Sequence, residues 1–450
     1  VIFPSRLCRV LCRIGTFYIE VVIDLNVKKS ICTVLCLLVV ISTFAVAQNT
    51  PETVIVVVNE AQGRSGPGSF YALKVLIPKD TVLDVLKMKK SWYKTTFSDE
   101  NVWVSENSLS VDSDSGNKSA NAQTSMNMDV FKSLSTESVT SAKASPALLT
   151  AAIKGFWTRY TGADKQNLAE LPVNGYDVPP GYVESFSEKR SSEVSRDRLQ
   201  RRFKISRKYR KSSMTYENEH SIGYSIASSV AEGSLVENES LINYISSVGW
   251  YLAESTERYE LQFKFYVLDT DRINAVSCPG GYIVLTRGLL EMIADEAELA
   301  ALLAHEMSHV IAGHAMQSME ESEVGITAGS SFDLLGKETG GTSEIEGDLL
   351  ALTNRATSIA TSPKLDEQEF EADRMALTYL ARSGYDVNGL TRMLNTMMTR
   401  HESNIDIFDL NYKNHPDFKE RLKQIDREMR KYRRYEGKLF AGDFRSNMSF

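Results

Sequence analysis

One stretch of this 450-residue chain limits its fold more than any other: His305-Glu306-Met307-Ser308-His309, inside an alanine- and leucine-rich run. Leu299, Leu302, Leu303 and Val310 recur at helical spacing, and Asp295-Glu296-Ala297-Glu298 resembles a capping box. The run therefore predicts a helix starting near Asp295. On a helix the two histidines leave one face a turn apart, where two imidazole nitrogens can share one tetrahedral Zn²⁺. Glu306 falls on the apolar stripe, and no Lys or Arg occurs between Arg287 and Lys337 to pair with it. A bound cation resolves that conflict, because buried charge must be paired or metal-associated. Glu306 is then placed to act on a water held by the metal.

The third ligand sets the subclass. A metzincin would carry glycine three residues and histidine six residues after His309; Ala312 and Ala315 stand there instead. His314 is one position out of register and reads as a packed or supporting histidine. Downstream, Glu369-Phe370-Glu371-Ala372-Asp373 lies in a second predicted helix, from about Asp366 to Arg382, stopped by Gly384. Glu369 and Asp373 share one face at i, i+4, where two free carboxylates repel mildly. If Glu369 binds zinc and Asp373 accepts the far N–H of His305, the repulsion becomes a supported metal site.

These motifs, His305-Glu306-x-x-His309 followed by Glu369-x-Glu371-Ala372-Asp373, resemble the gluzincin family that contains the CAAX prenyl protease, HtpX and BepA. Asn274-Ala275, Pro279-Gly280-Gly281-Tyr282-Ile283 and Thr286-Arg287-Gly288-Leu289-Leu290 are similar to the family's strand and hairpin ahead of the zinc helix. His415-Pro416, with Arg421 five residues on, is similar to its C-terminal His-Pro motif. The likeness covers about residues 215–430 and is strongest to the soluble BepA-like branch. It implies a mainly helical zincin-type peptidase domain with a small antiparallel sheet, and one Zn²⁺ per chain on His305, His309 and Glu369. Glu306 would be the general base. Asp373, His314 and Arg421 would support the ligands. His415 has two open functional readings: assisting the oxyanion, or, as the BepA resemblance implies, occupying the open zinc position and holding the enzyme latent. A third reading, from the residues alone, is a cap beside Pro416.

Leu261 to Val267 alternates like a half-buried strand, and Tyr282 to Thr286 follows a Pro-Gly-Gly turn. A free sheet edge near Asn274, Ala275, Gly280 and Gly281 would pair with an extended polypeptide by strand addition, which reads side chains weakly. Unfolded or extended polypeptides are the expected substrates.

The remaining chain predicts an export route and a second module. Val27-Lys28-Lys29, the apolar run Ile31 to Phe44 and Ala45-Val46-Ala47 match a secretory signal at 27–47. The first methionine is Met88, so residues 1–26 read as over-translation ahead of a non-AUG start at Val27. Periplasmic export in a Gram-negative bacterium is the expectation, with no transmembrane segment in the mature protein. Four of five cysteines (Cys8, Cys12, Cys32, Cys36) fall in the discarded part, leaving Cys278 as a packed thiol. Removing residues 1–47 takes five Lys/Arg and two Asp/Glu from the 51 and 58, so the mature balance falls from −7 to −10. Such acidity argues against nucleic acid as a partner.

Val54 to Val58, Arg64-Ser65-Gly66-Pro67-Gly68, Trp92-Tyr93 and Trp103-Val104 follow an order that resembles a bacterial SH3-like domain at 53–110. That likeness implies cell-wall or envelope-protein contact; a plain packing module is the alternative. The expected class is α+β, with this small all-β barrel ahead of the peptidase domain. Residues 111–144 read as a flexible linker, 145–212 as a basic connecting region, 213–430 as the peptidase domain and 431–450 as a C-terminal tail. Lys189 to Lys211 holds eleven Lys/Arg and suits either an anionic contact or a solvated face. Ser318 to Thr361 suits a lid or an insertion. The composite reading is an exported zinc endopeptidase acting on unfolded or misassembled envelope proteins. A non-catalytic zinc-containing chaperone or scaffold, and a cell-wall peptide hydrolase, stand as alternatives.

Overall fold

A computed structural model describes residues 7–14, 17–24, 51–111, 180–205, 216–231, 235–321, 357–358, 362, 364–409 and 417–448, apart from a few single positions inside these spans. The signal segment 27–47, the linker, most of 145–212, the 322–356 stretch and His415-Pro416 lie outside the described residues. Residues 1–52 and 53–450 form two compact units. In the first, β1 (Leu7–Ile14) and β2 (Phe17–Asp24) pair as an antiparallel hairpin.

The second unit opens with an all-β module. Its strands are β3 (Thr53–Val56), β4 (Glu60–Arg64), β5 (Leu73–Pro78), β6 (Val82–Lys89), β7 (Trp92–Phe97), β8 (Glu100–Ser105) and β9 (Leu109–Val111). They form one antiparallel sheet in the order β5-β4-β8-β7-β6-β3-β9. The period-2 alternation of Val54, Val56 and Val58 sends these valines into a core with Ile77, Val102 and Val104. Trp92 stays out of that core. It stacks on Tyr259, ring centroids 5.3 Å apart and 9° from parallel, while Ser105 hydrogen-bonds the Tyr259 hydroxyl at 2.7 Å. Arg64 pairs with Glu254 at 3.1 Å. The module is thus seated on residues 254–262.

The helical part begins with α1 (Pro180–Glu193) and α2 (Arg196–Arg202), then α3 (Tyr216–Val230) and α4 (Glu239–Ala253). The basic stretch is neither wholly solvated nor wholly free for an outside partner. Arg190, 1% exposed, hydrogen-bonds Glu296 through Nε at 2.9 Å and stacks on Phe186 and Phe440. Arg196 pairs with Glu254 and lies over Tyr251. Interior carboxylates recruit these two arginines out of the run.

Three short strands follow: β10 (Lys264–Leu268), β11 (Ala275–Cys278) and β12 (Tyr282–Thr286). β12 is central, antiparallel to β11 and parallel to β10, so the small sheet is mixed. Ile273, just ahead of β11, pairs with the Ile407–Asp409 backbone; among the described residues β11 itself pairs with β12 alone. The β11–β12 turn packs tightly on α3. Gly280 sits at φ 72°, and a Cβ there would lie 2.7 Å from His220 Cα. This approach accounts for the glycine directly.

α5 (Arg287–Leu290) leads to α6 (Glu296–Ala312), the helix of the two histidines, then α7 (His314–Glu321). Asp295 caps α6 by accepting from Glu298 N at 2.9 Å, as the capping-box pattern predicts. The return bond differs: the Glu298 carboxylate accepts from Ala294 N at 3.0 Å. Gly313, at φ 73°, ends the helix. α8 (Asp366–Ser383) and α9 (Asn388–Ser403) pack against α6, α10 (Phe418–Met429) packs on α8 and α9, and α11 (Ala441–Asn447) is the last described helix. Residues 431–448 are not loose: Tyr432 and Phe444 enter the main core.

Candidate metal centre

α6 is buried on nearly all sides, so its polar residues must satisfy one another. His305 and His309 stand one turn apart, with Nε2 atoms 3.1 Å from each other. α8 lies against α6 and brings Glu369, 0% exposed, into the same place. Its oxygens lie 3.3 Å from His305 Nε2 and 3.3 Å from His309 Nε2. Four-coordinate zinc with bonds of about 2.0–2.1 Å has ligand–ligand edges of roughly 3.3–3.4 Å. Each imidazole thus stands about one tetrahedral edge from a different carboxylate oxygen, His305 from Oε2 and His309 from Oε1. The donor set, two imidazoles and a carboxylate with ligand atoms all within 4.8 Å of one another, fits a divalent metal.

Each ligand is held from behind. His305 Nδ1 lies 3.0 Å from Asp373 Oδ1, one turn past Glu369 on α8. Arg421, 1% exposed on α10, grips Asp373 with Nε at 2.9 Å and Nη2 at 2.7 Å, and reaches Glu369 with Nη1 at 3.1 Å. Burial alone would raise the Asp373 carboxyl, but the Arg421 charge and the His305 hydrogen bond hold it below the usual range. Burial and Arg421 push His305 down, yet its bonds to Asp373 and Glu369 prevail and bring the metal-free ring up to about 9. His309 Nδ1 meets His314 Nδ1 at 2.8 Å, and burial followed by the His309 charge keeps His314 neutral, at about 2. Since His309 Nε2 points at the ligand cluster, Nδ1 carries its proton and His314 accepts it. His314 Nε2 then faces Glu371 at 3.6 Å.

Residues 240–429 match the profile of peptidase family M48. The chain carries an M48 peptidase domain. That region is 31% identical to the beta-barrel assembly-enhancing protease of Yersinia pestis and 29% identical to that of Escherichia coli K12, each over 171 residues. Both alignments cover 36% of this chain and 34% of the relative, so the chain spans about a third of the length of these curated relatives. Mitochondrial metalloendopeptidase OMA1 of Schizosaccharomyces pombe is 26% identical over 187 residues, 41% of this chain and 51% of that protein.

Within the M48 domain the structure brings together His305, Glu306, His309, Glu369, Asp373, His314 and Arg421; His415 falls outside the described residues. Two further residues reach the centre without any sequence signal. Ser277 on β11 donates its hydroxyl proton to Glu306 Oε2, fixing the 5%-exposed carboxylate. Lys364, ahead of α8, lies in the field of Glu369, Glu306 and Cys278; burial pushes its ammonium down, and Glu369 most strongly opposes that. The cation missing from the α6 sequence neighbourhood thus arrives from elsewhere in the chain. Cys278 is free and buried, its thiol pushed up to about 12 by burial. Asn274 and Ala275 lie at the start of β11, and Asn274 Oδ1 is buried with no hydrogen-bond partner among the described residues. Gly280 and Gly281 form the turn against α3 and the Gln262–Phe263 backbone.

Proposed function

We propose that this protein is an exported zinc-dependent endopeptidase that hydrolyses extended segments of unfolded or misassembled envelope proteins. One observation carries the reading: two imidazoles and a carboxylate converging within 4.8 Å, beside a glutamate that has its own hydroxyl partner. When bound by His305, His309 and Glu369, zinc supplies a Lewis acid and lowers the pKa of a water toward about 7.

The chain's own groups do the rest. Glu306 takes the proton from the attacking water and returns it to the leaving amine. Ser277 keeps the carboxylate aimed while it is charged. Asp373 and Arg421 fix the His305 ring, and His314 fixes His309, so both Nε2 atoms face the metal position throughout. The β11 edge offers backbone pairing to an extended substrate. Backbone pairing suits a peptidase that recognises extension more than side chains.

The signal-like segment 27–47 supports export to the periplasm. No described helix is long and apolar enough to cross a membrane. The names of the beta-barrel assembly-enhancing proteases point to beta-barrel protein assembly as the setting. Contact with cell wall or envelope proteins through an SH3-like module remains part of this proposal, with one face of that module seated on residues 254–262.

The test is digestion of casein by the purified chain beside Glu306→Gln, with zinc measured in both. Cleavage lost in the variant, with zinc retained, establishes the endopeptidase and its base. Cleavage by the variant at the wild-type rate refutes the reading. If neither cleaves, His415→Ala decides between a His415 plug, which the variant relieves, and a zinc-containing binding protein, which it leaves inert.

A further inference from the structure

The chain carries net charge −7, yet two segments distant in sequence place an excess of cations together. α2 ends in Arg198, Arg201 and Arg202, followed by Lys204, and all four are exposed. The end of α10 and the turn after it expose Arg427, Arg430, Lys431, Arg433 and Arg434. Residues 198–204 and 427–434 thus hold nine exposed Lys/Arg and one Asp/Glu, Glu428, which pairs with Lys431. Asp197, just outside, pairs with Arg201 at 2.5 Å.

Packing joins the two segments. Arg202 Nη2 donates to the Arg434 carbonyl at 2.8 Å. Phe203 is wedged between Tyr432 and Tyr435, with ring centroids at 5.3 and 5.1 Å. Gathering this many like charges costs self-repulsion, which Asp197, Asp426, Glu428 and Glu436 at the edges of the two segments offset only in part. Arg198, Arg430 and Arg433 make no hydrogen bond or ion pair among the described residues. A cavity of about 400 Å³ opens between Arg430, Arg433 and Asn388, with Tyr432, Tyr435 and Asp426 also lining it.

We propose that this basic face binds the anionic headgroup surface of a phospholipid bilayer, with the cavity between Arg430 and Arg433 receiving a headgroup phosphate. The arginine fork suits phosphate oxygens, and a broad array of long exposed cations suits a fluid anionic surface more than a fixed contour. Nucleic acid fits less well, because Phe203 and Tyr432 are turned into the core, where they offer no stacking surface. An apolar group stands close by: Leu439 is 43% exposed and follows Lys438, whose carbonyl accepts from Asp386 N beside the cavity wall. The surface also touches the metal centre's scaffold. Arg421 and Arg430 are nine residues apart on α10 and its extension, about 13 Å of helical rise. Tyr432 Oη meets Thr378 Oγ1 of α8 at 3.1 Å. A bilayer bound here would hold the helices of Glu369, Asp373 and Arg421 at a set distance from the membrane.

Co-sedimentation of the full chain with vesicles tests this. Binding is expected to mixed phosphatidylglycerol–phosphatidylcholine vesicles and not to phosphatidylcholine alone, and to weaken as salt is raised. Arg430→Glu/Arg433→Glu should weaken it about tenfold or more. Arg198→Glu/Arg201→Glu should do the same from the other segment, while Lys87→Glu/Lys89→Glu, on β6, should leave it unchanged. Equal binding to both vesicle types overturns the proposal, as does wild-type binding by both arginine variants. Complete release by inorganic phosphate at matched phosphate concentration also overturns it, revealing a small-anion site in place of a membrane surface. Circular dichroism of each variant verifies that it is folded.

Discussion

Arg421 holds Asp373 by two hydrogen bonds, at 2.9 and 2.7 Å, in a place where both side chains are almost fully buried. The pair does more than balance charge, because Asp373 also aims the His305 ring. Arg421→Met should lower zinc affinity roughly 10–100-fold. It should also cost about 3–5 kcal/mol of stability, since a buried carboxylate loses its partner. Chelator competition and urea unfolding measure the two effects. Wild-type values for both would mean that Arg421 only fills space.

Ser277 tests the chemistry without touching a ligand. Its hydroxyl reaches Glu306 and none of the three metal-binding side chains in the hydrogen bonds described. Ser277→Ala should therefore keep its zinc and lose about tenfold or more in kcat, in line with roughly 1.5–3 kcal/mol for one hydrogen bond to a charged group. An unchanged kcat would show that the Glu306 carboxylate is held well enough by packing alone.

Arg190 ties the connecting region to the start of the histidine helix. Arg190→Met strands the Glu296 carboxylate, 0% exposed, with only the Tyr244 and Tyr385 hydroxyls. A loss of about 3–5 kcal/mol is expected by denaturant unfolding. Adding Glu296→Gln should restore part of it, because the stranded charge is gone. A double variant no more stable than the single one would argue against that cause.

His220 gives a pH dependence of known sign. Burial, then the Lys264 charge, pushes its ring from 6.5 down to about 4, and Tyr282 Oη is its hydrogen-bond partner at 3.0 Å. The folded state thus prefers the neutral ring. Its stabilising share is complete above the unfolded value of 6.5 and is lost as pH falls through the window down to about 4. At about pH 5 that loss is roughly 2 kcal/mol. His220→Gln cannot take up the proton, so its stability deficit relative to wild type should shrink by about that amount between about pH 8 and pH 5. A deficit constant with pH would place His220's role in packing.

The histidine helix and the Glu369 helix were legible because helical periodicity fixes both i, i+4 pairs without any tertiary knowledge. Asp373 followed from the chemistry of the ligands, His314 from its register after His309, and Arg421 only from the resemblance of the His415-Pro416 stretch to a family motif. Ser277 was not legible: a serine on a short strand has no assigned role until Glu306 is placed against it. Lys364 escaped for the same reason, since sequence distance hides a cation that folding brings close. Arg190 and Arg196 were read with their charged neighbours because their carboxylate partners lie 106 and 58 residues away. The β-module's valine alternation predicted its core, while the partner of Trp92, Tyr259, had no local signature.

The Arg190–Glu296 contact also separates two kinds of boundary. Residues 240–429 are the span that resembles other peptidases, but Glu296 depends on an arginine upstream of that span, and Arg190 also pairs with Asp443 downstream of it. Kinship and autonomy have different limits here. A fragment cut to the shared span would keep every metal ligand and still strand an ionised group that Arg190 neutralises from upstream.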